Sequence, residues 1–247
     1  LRTCGVAIAK TAIVDFPDQW ESLLDDIGSL LNTDHSKYAI LCICCLTEEL
    51  SGHQLERLGF FVPNLLRYAT EVDASRAALV LKAVDALCLA LGVSHEQIKD
   101  SLSEAFPLIK DQAFTEANDA NIGVVLQSLH IVKKLFQAFS SLWERDVLDR
   151  LLWLLGEERS AFHELVVAES DDEECSIGVS KIAAQRLNLL LSAVRSKKVS
   201  RFCKEAFAEH GYNLADVLLA YAMVTHTNEC DWTNDSNSFH KQEEDRE

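Results

Sequence analysis

Apolar residues in this chain recur at helical spacing in paired segments, and the pair itself recurs about every 40 residues. That is the pattern of stacked two-helix units, none of which buries both of its faces alone. The pairs fall at 17–32 with 35–50, 53–71 with 75–91, 95–113 with 119–143, and 144–168 with 173–196. An opening helix, 2–14, has no partner before it in the chain, and a closing one, 200–226, has none after it. First members carry aromatic or Pro-interrupted amphipathic patterns, such as Phe60-Phe61-Val62-Pro63-Asn64-Leu65-Leu66 and Ala105-Phe106-Pro107-Leu108-Ile109. Second members are richer in small and aliphatic residues, as over 77–87. These features predict an all-α fold, a right-handed superhelical stack of antiparallel helix pairs over residues 1–228, with a globular helical bundle as the alternative. Three Pro, nine Gly and 48% hydrophobic residues in a chain of 247 suit long helices around a sizeable core.

The most distinctive stretch joins the opening helix to the first pair: Asp15-Phe16-Pro17-Asp18-Gln19-Trp20-Glu21-Ser22-Leu23-Leu24. Pro17 lacks an N–H and pre-sets φ for a first helical turn, which Asp15 is placed to cap. Trp20, Leu23, Leu24, Ile27, Leu30 and Leu31 then share a face, and Trp20 is expected to be buried between this pair and the opening helix. In the next helix the run Leu41-Cys42-Ile43-Cys44-Cys45-Leu46 is apolar nearly all round, as suits a helix sandwiched between layers. The chain opens at Leu1 in mid-helix and reads as a piece of a longer protein. No stretch reaches the ~18 continuous apolar residues of a membrane span, and no signal-peptide pattern is evident, so a soluble intracellular chain without membrane insertion is expected.

Eight cysteines raise the questions of metal and disulfide. Cys42, Cys44, Cys45 and Cys88 lie inside apolar helical runs, where Cys behaves as a small hydrophobe, while Cys4, Cys175, Cys203 and Cys230 are scattered singly. Cys42-x-Cys44-Cys45 lacks the two-to-four-residue gap of paired zinc ligands, and His163, His210, His226 and His240 are isolated, so no metal or cofactor is expected. Glycine-rich phosphate loops, Gly-x-Ser-x-Gly elbows and His-Glu-x-x-His spacings are absent. Cys203, between Arg201 and Lys204, is the one candidate for a reactive thiol. The expectation is a chain that is not an enzyme.

A net charge of −16 opposes direct binding of nucleic acid and favours basic protein partners. Two acidic stretches sharpen this: Glu169-Ser170-Asp171-Asp172-Glu173-Glu174, and the tail 229–247 with Glu229, Asp231, Asp235, Glu243, Glu244, Asp245 and Glu247. In the second, Trp232 and Phe239 supply contact anchors among carboxylates that attract Lys and Arg, which makes Asp231, Trp232, Asp235, Phe239, Glu243, Glu244 and Asp245 the candidate partner-binding set. The second-member helices also carry Lys82, His130, Lys133, Lys134, Lys181 and Arg186. These are candidates either for contacts from a concave face to an acidic partner or for ion pairs within the chain.

Asp15-Phe16-Pro17-Asp18-Gln19-Trp20 resembles the D-[WF]-P-x-x-W-P-x-L signature that opens an early HEAT repeat in the importin-β (karyopherin-β) family of nuclear transport receptors, with Glu21 where the family usually has a second Pro. Trp232-Thr233-Asn234-Asp235-Ser236-Asn237-Ser238-Phe239, followed by Glu243-Glu244-Asp245, is similar to the family's W-x-x-D-P-x-x-[FY] loop with its trailing acidic run, with Ser236 in place of Pro. Arg195 to Phe202 and the segment after it resemble the importin nine branch. The resemblance implies a HEAT-repeat cargo carrier without a catalytic centre, working in cytoplasm and nucleus. It further implies that inner helices line a concave surface and that Ran-GTP binds early repeats and an acidic loop, releasing basic nuclear cargo such as histones or ribosomal proteins. The alternative is an α-solenoid scaffold for cytosolic complexes that does not respond to Ran.

Overall fold

The computed structural model describes residues 2–31, 33–158, 173–196, 199, 205, 206, 208 and 221. Helices occupy these residues almost throughout, and no strand occurs among them. In chain order they are α1 (Arg2–Asp15), α2 (Leu23–Leu31), α3 (Ser36–Glu49), α4 (Gly52–Leu58), α5 (Phe61–Ala69), α6 (Ala74–Leu91), α7 (Glu96–Ala113), α8 (Ile122–Ala138), a 3-10 turn at Ser140–Leu142, α9 (Arg145–Glu157) and α10 (Glu173–Arg195). Local chemistry sets several boundaries. The Asp73 carboxylate accepts the Arg76 N–H at 3.0 Å and so caps α6, while Gly92, at φ +86°, adopts the backbone turn that ends it. No described helix is long and apolar enough to cross a membrane.

The chain divides into two compact units, one made of Leu1–Thr115 with Gly123–Leu142 and the other of Glu116–Ile122 with Trp143–Glu247. In the first unit α3 packs against α1, α2, α4 and α6. Its Ile40, Ile43 and Leu46 are buried completely, as the all-round apolar run requires. Contacts alternate: α2 packs on α3 and α5 on α6 within pairs, while α1, α3 and α6 pack side by side and α5 packs on α7. The unit thus has one layer containing α1, α3 and α6 and another containing α2, α5 and α7. α8 joins the first layer, where a Cβ on Gly123 would lie 3.0 Å from that of Ala78 in α6, and its Phe136 meets Phe106 of α7 edge-on at 6.0 Å.

The second unit is built on α9 and α10. Val147, Leu148, Leu151, Leu152, Leu154 and Leu155 of α9 are buried together with Ile182, Ala183, Leu189, Leu190 and Ala193 of α10. The Tyr221 hydroxyl donates to the Leu155 carbonyl at 2.7 Å.

Three boundaries depart from the sequence reading. α2 begins at Leu23, not at 17, so Pro17 lies in the connection and starts no helix. The Asp15 side chain does not cap that helix; its backbone carbonyl accepts the N–H groups of Gln19 and Trp20 at 2.7 and 2.9 Å, closing α1 into a tight turn. That turn inserts Phe16 into the core at 2% exposure and leaves Trp20 only half-buried. Phe16 carries the Arg57 guanidinium 5.7 Å from its ring centroid, and the Gln54 amide donates to the Phe16 carbonyl and, at 3.2 Å, to that of Ile13, satisfying acceptors that a helix end leaves open.

The segment 53–71 is two helices rather than one. The break at Gly59 and Phe60 places Pro63 in the first turn of α5, where its missing N–H costs no helical bond. α8 ends at Ala138 and gives way to the 3-10 turn. The closing helix 200–226 lies outside the described residues except at 205, 206, 208 and 221.

Candidate functional site

The tail residues Asp231, Trp232, Asp235, Phe239, Glu243, Glu244 and Asp245 lie outside the described residues, as do 169–172 of the first acidic stretch. The basic set is described, and it separates into different environments. Lys82, on α6, is exposed, and its charge reaches the Cys44 thiol on α3. His130, Lys133 and Lys134 lie on one side of α8. Lys134 pairs with the Asp85 carboxylate of α6, and His130 Nδ1 lies 3.9 Å from the other oxygen of that carboxylate. Burial pushes His130 below the ordinary imidazole value; Asp85 opposes this, while Lys134 and Lys133 add to it. The imidazole is therefore neutral at pH 7, and the α6–α8 contact is held by Asp85 and Lys134.

In the second unit Lys181 of α10 is exposed, whereas Arg186 is fully buried at 0%. Arg186 therefore offers no surface to a partner. Its guanidinium pairs with the Glu158 carboxylate just past the end of α9, whose Oε1 also accepts the Ala117 N–H at 3.2 Å. Burial pulls the Arg186 pKa down to about 10, with Arg150 adding to the effect and Tyr221 and Glu116 opposing it, so the group is still charged at neutral pH. Of the proposed contact residues, Lys82 and Lys181 are exposed, His130, Lys133 and Lys134 partly so, and Arg186 belongs to the core.

Cys42, Cys44, Cys45 and Cys88 are packing residues, whereas Cys4 on α1 is exposed. Burial, followed by the neighbouring Cys45 and Cys44, pushes the Cys42 thiol up to about 11. Cys44 also stands at about 11, burial outweighing Lys82, and Cys88 at about 12 through burial and Asp85. Thiols so placed are protonated at neutral pH and are poor nucleophiles. Among the described residues no cluster of His, Cys, Asp or Glu could hold a metal ion.

Residue spacing gave no sign of the grooves between neighbouring helices of the α2–α5–α7 layer. Between α2 and α5 a cavity of about 430 Å³ is lined by Leu24, Asp25, Gly28, Phe60, Phe61 and Asn64. It continues past Gly28 and Asn64 into a smaller one of about 90 Å³, lined also by Leu31, Arg67, Tyr68 and Glu71. A third, of about 420 Å³, runs between α5 and α7 past Pro63, Leu66, Ala105 and Leu108. Phe60, from the aromatic amphipathic pattern of its segment, is 64% exposed at the rim of the first.

No protein-family model and no curated protein matches this chain. Fold geometry and residue chemistry therefore carry the functional argument.

Proposed function

We propose that this chain is a HEAT-type α-solenoid that carries basic proteins in the manner of an importin and releases them to Ran-GTP, without catalysis. The observation that carries the reading is the alternation of contacts in the first unit. The second helices α1, α3 and α6 pack side by side and the first helix α5 packs on the next one, α7, the like-on-like contact expected where helix pairs stack. The junction Asp15 to Trp20, which carries the importin-β resemblance, seals Phe16 in the core between α1 and α2 in sequence. A formal charge of −16 suits basic cargo, with the tail 229–247 and the exposed Lys82 and Lys181 as partner contacts.

The deciding experiment measures binding of a core-histone dimer to the full chain, alone and with Ran loaded with a non-hydrolysable GTP analogue or with GDP. Histone binding that weakens with the GTP form alone is the expected result. Binding of the histone dimer that ignores both forms of Ran overturns the carrier reading in favour of a Ran-independent scaffold.

A further inference from the structure

We propose that the groove between α2 and α5 docks a basic segment of a partner protein, one bulky apolar side chain of that segment resting over Gly28 while its Lys and Arg face the carboxylates around α2. The groove has an apolar floor and wall in Leu24, Phe60 and Phe61, and at Gly28 the floor is bare backbone. A Cβ built there meets only the Phe61 ring, at 3.8 Å, which is ordinary contact; packing within the fold does not require glycine at this point, and the space above it is open. From Leu24 to Leu31 the groove runs about 10 Å, the reach of about three residues of extended chain. Asn64 is exposed and lines both compartments, and its side chain makes no hydrogen bond among the described residues, so its amide can donate to and accept from a passing backbone.

Charge selects the occupant. Asp15, Asp18, Glu21, Asp25, Asp26 and Asp34 stand in a stretch without Lys or Arg from residue 11 to residue 36, and none of them forms an ion pair among the described residues. Asp25 itself lines the groove, and Glu71 stands at its far end beside Arg67. An apolar slot with so acidic a margin repels nucleic acid, and two copies of a chain of charge −16 repel each other. A basic segment with one large apolar side chain satisfies both features. Apolar burial would hold the complex, and the carboxylates would mainly speed its formation.

The proposal is independent of Ran and of histone carriage, because its test uses neither. The probe is a fluorescent peptide of about twelve residues, rich in Lys and Arg around a single Phe, followed by anisotropy against the full chain. Glu243, Glu244 and Asp245 are changed to Ser throughout, to remove the attraction of the tail. Gly28→Gln, which fills the slot with a good helix former, is expected to weaken binding at least tenfold while the melting temperature holds or rises. Asp18→Lys with Asp25→Lys is expected to weaken it about tenfold and to flatten its salt dependence. Three results each overturn the proposal: unchanged affinity in Gly28→Gln, equal affinity for a peptide with Ser in place of Phe, or equal affinity for a peptide with Gln in place of Lys and Arg. Sedimentation showing a dimer that Gly28→Gln abolishes also overturns it, by making a second copy the occupant.

Discussion

Removing the Glu158 carboxylate is expected to damage the second unit more than removing the cation it serves. The Arg186 guanidinium is fully buried, whereas the Glu158 side chain keeps 16% exposure. In Glu158→Leu the guanidinium, too strong a base to give up its proton readily, is left buried without its carboxylate, and the Ala117 N–H loses its acceptor as well. Stranding one member of a buried pair costs about 3–5 kcal/mol. In Arg186→Met the stranded carboxylate reaches water and keeps the Ala117 N–H, so the cost falls to about 1–3 kcal/mol. Apolar replacement of both leaves no buried charge and comes within about 1–2 kcal/mol of the parent. The cycle should therefore show a coupling of at least about 2 kcal/mol. Urea unfolding followed by the fluorescence of Trp143 and Trp153, both in this unit, measures each value; Trp153 has Arg150 stacked 4.1 Å over its ring. A cost for Glu158→Leu below about 1 kcal/mol, or two single changes that simply add, would refute the claim that this pair neutralises the core of the unit.

Two further outcomes follow from the first unit. Phe16→Ala should cost about 3–5 kcal/mol, as for a sealed core aromatic, and the half-buried Trp20→Ala about half as much; thermal melts that reverse this order contradict the observed junction. His130 is held below its unfolded value of about 6.5, so between the two values the native state binds fewer protons than the unfolded chain. Its stability contribution is present above about pH 6.5 and is lost as the pH falls through that window. Unfolding free energies measured at pH 5.5 and 7.5 should differ less in His130→Gln than in the parent, and an equal difference counts against the shift.

Helix existence was legible because the apolar spacing is strong. α3 was recognisable as an interior helix from Leu41 to Leu46 alone. Boundaries were less so, since Pro17, two residues after Asp15, fits a helix start by local preference. Here the Asp15 carbonyl instead holds a turn, an outcome settled by Phe16 finding a place in the core. The split at Gly59 was hidden because Pro63 suits either a kink inside one long helix or the first turn of a second. For the basic residues, spacing gave the helix face but not what stood opposite. Asp85 is 49 residues from Lys134, and Glu158 is 28 from Arg186. The groove over Gly28 was invisible for the same reason, because it exists only where α2 and α5 meet.

The short stretch 116–122 has a consequence for the order in which the molecule is made. It follows α7 in the chain yet belongs to the second unit, and the chain returns to the first unit for Gly123–Leu142 before leaving it again. The second unit is therefore assembled from two separated pieces. During synthesis from the N-terminus, the Ala117 N–H emerges 41 residues before the carboxylate that receives it. At ordinary ribosomal speeds that is an interval of about 2–8 s. Through that interval the first unit is already being completed, while a piece of the second waits in the exit order between two of its helices.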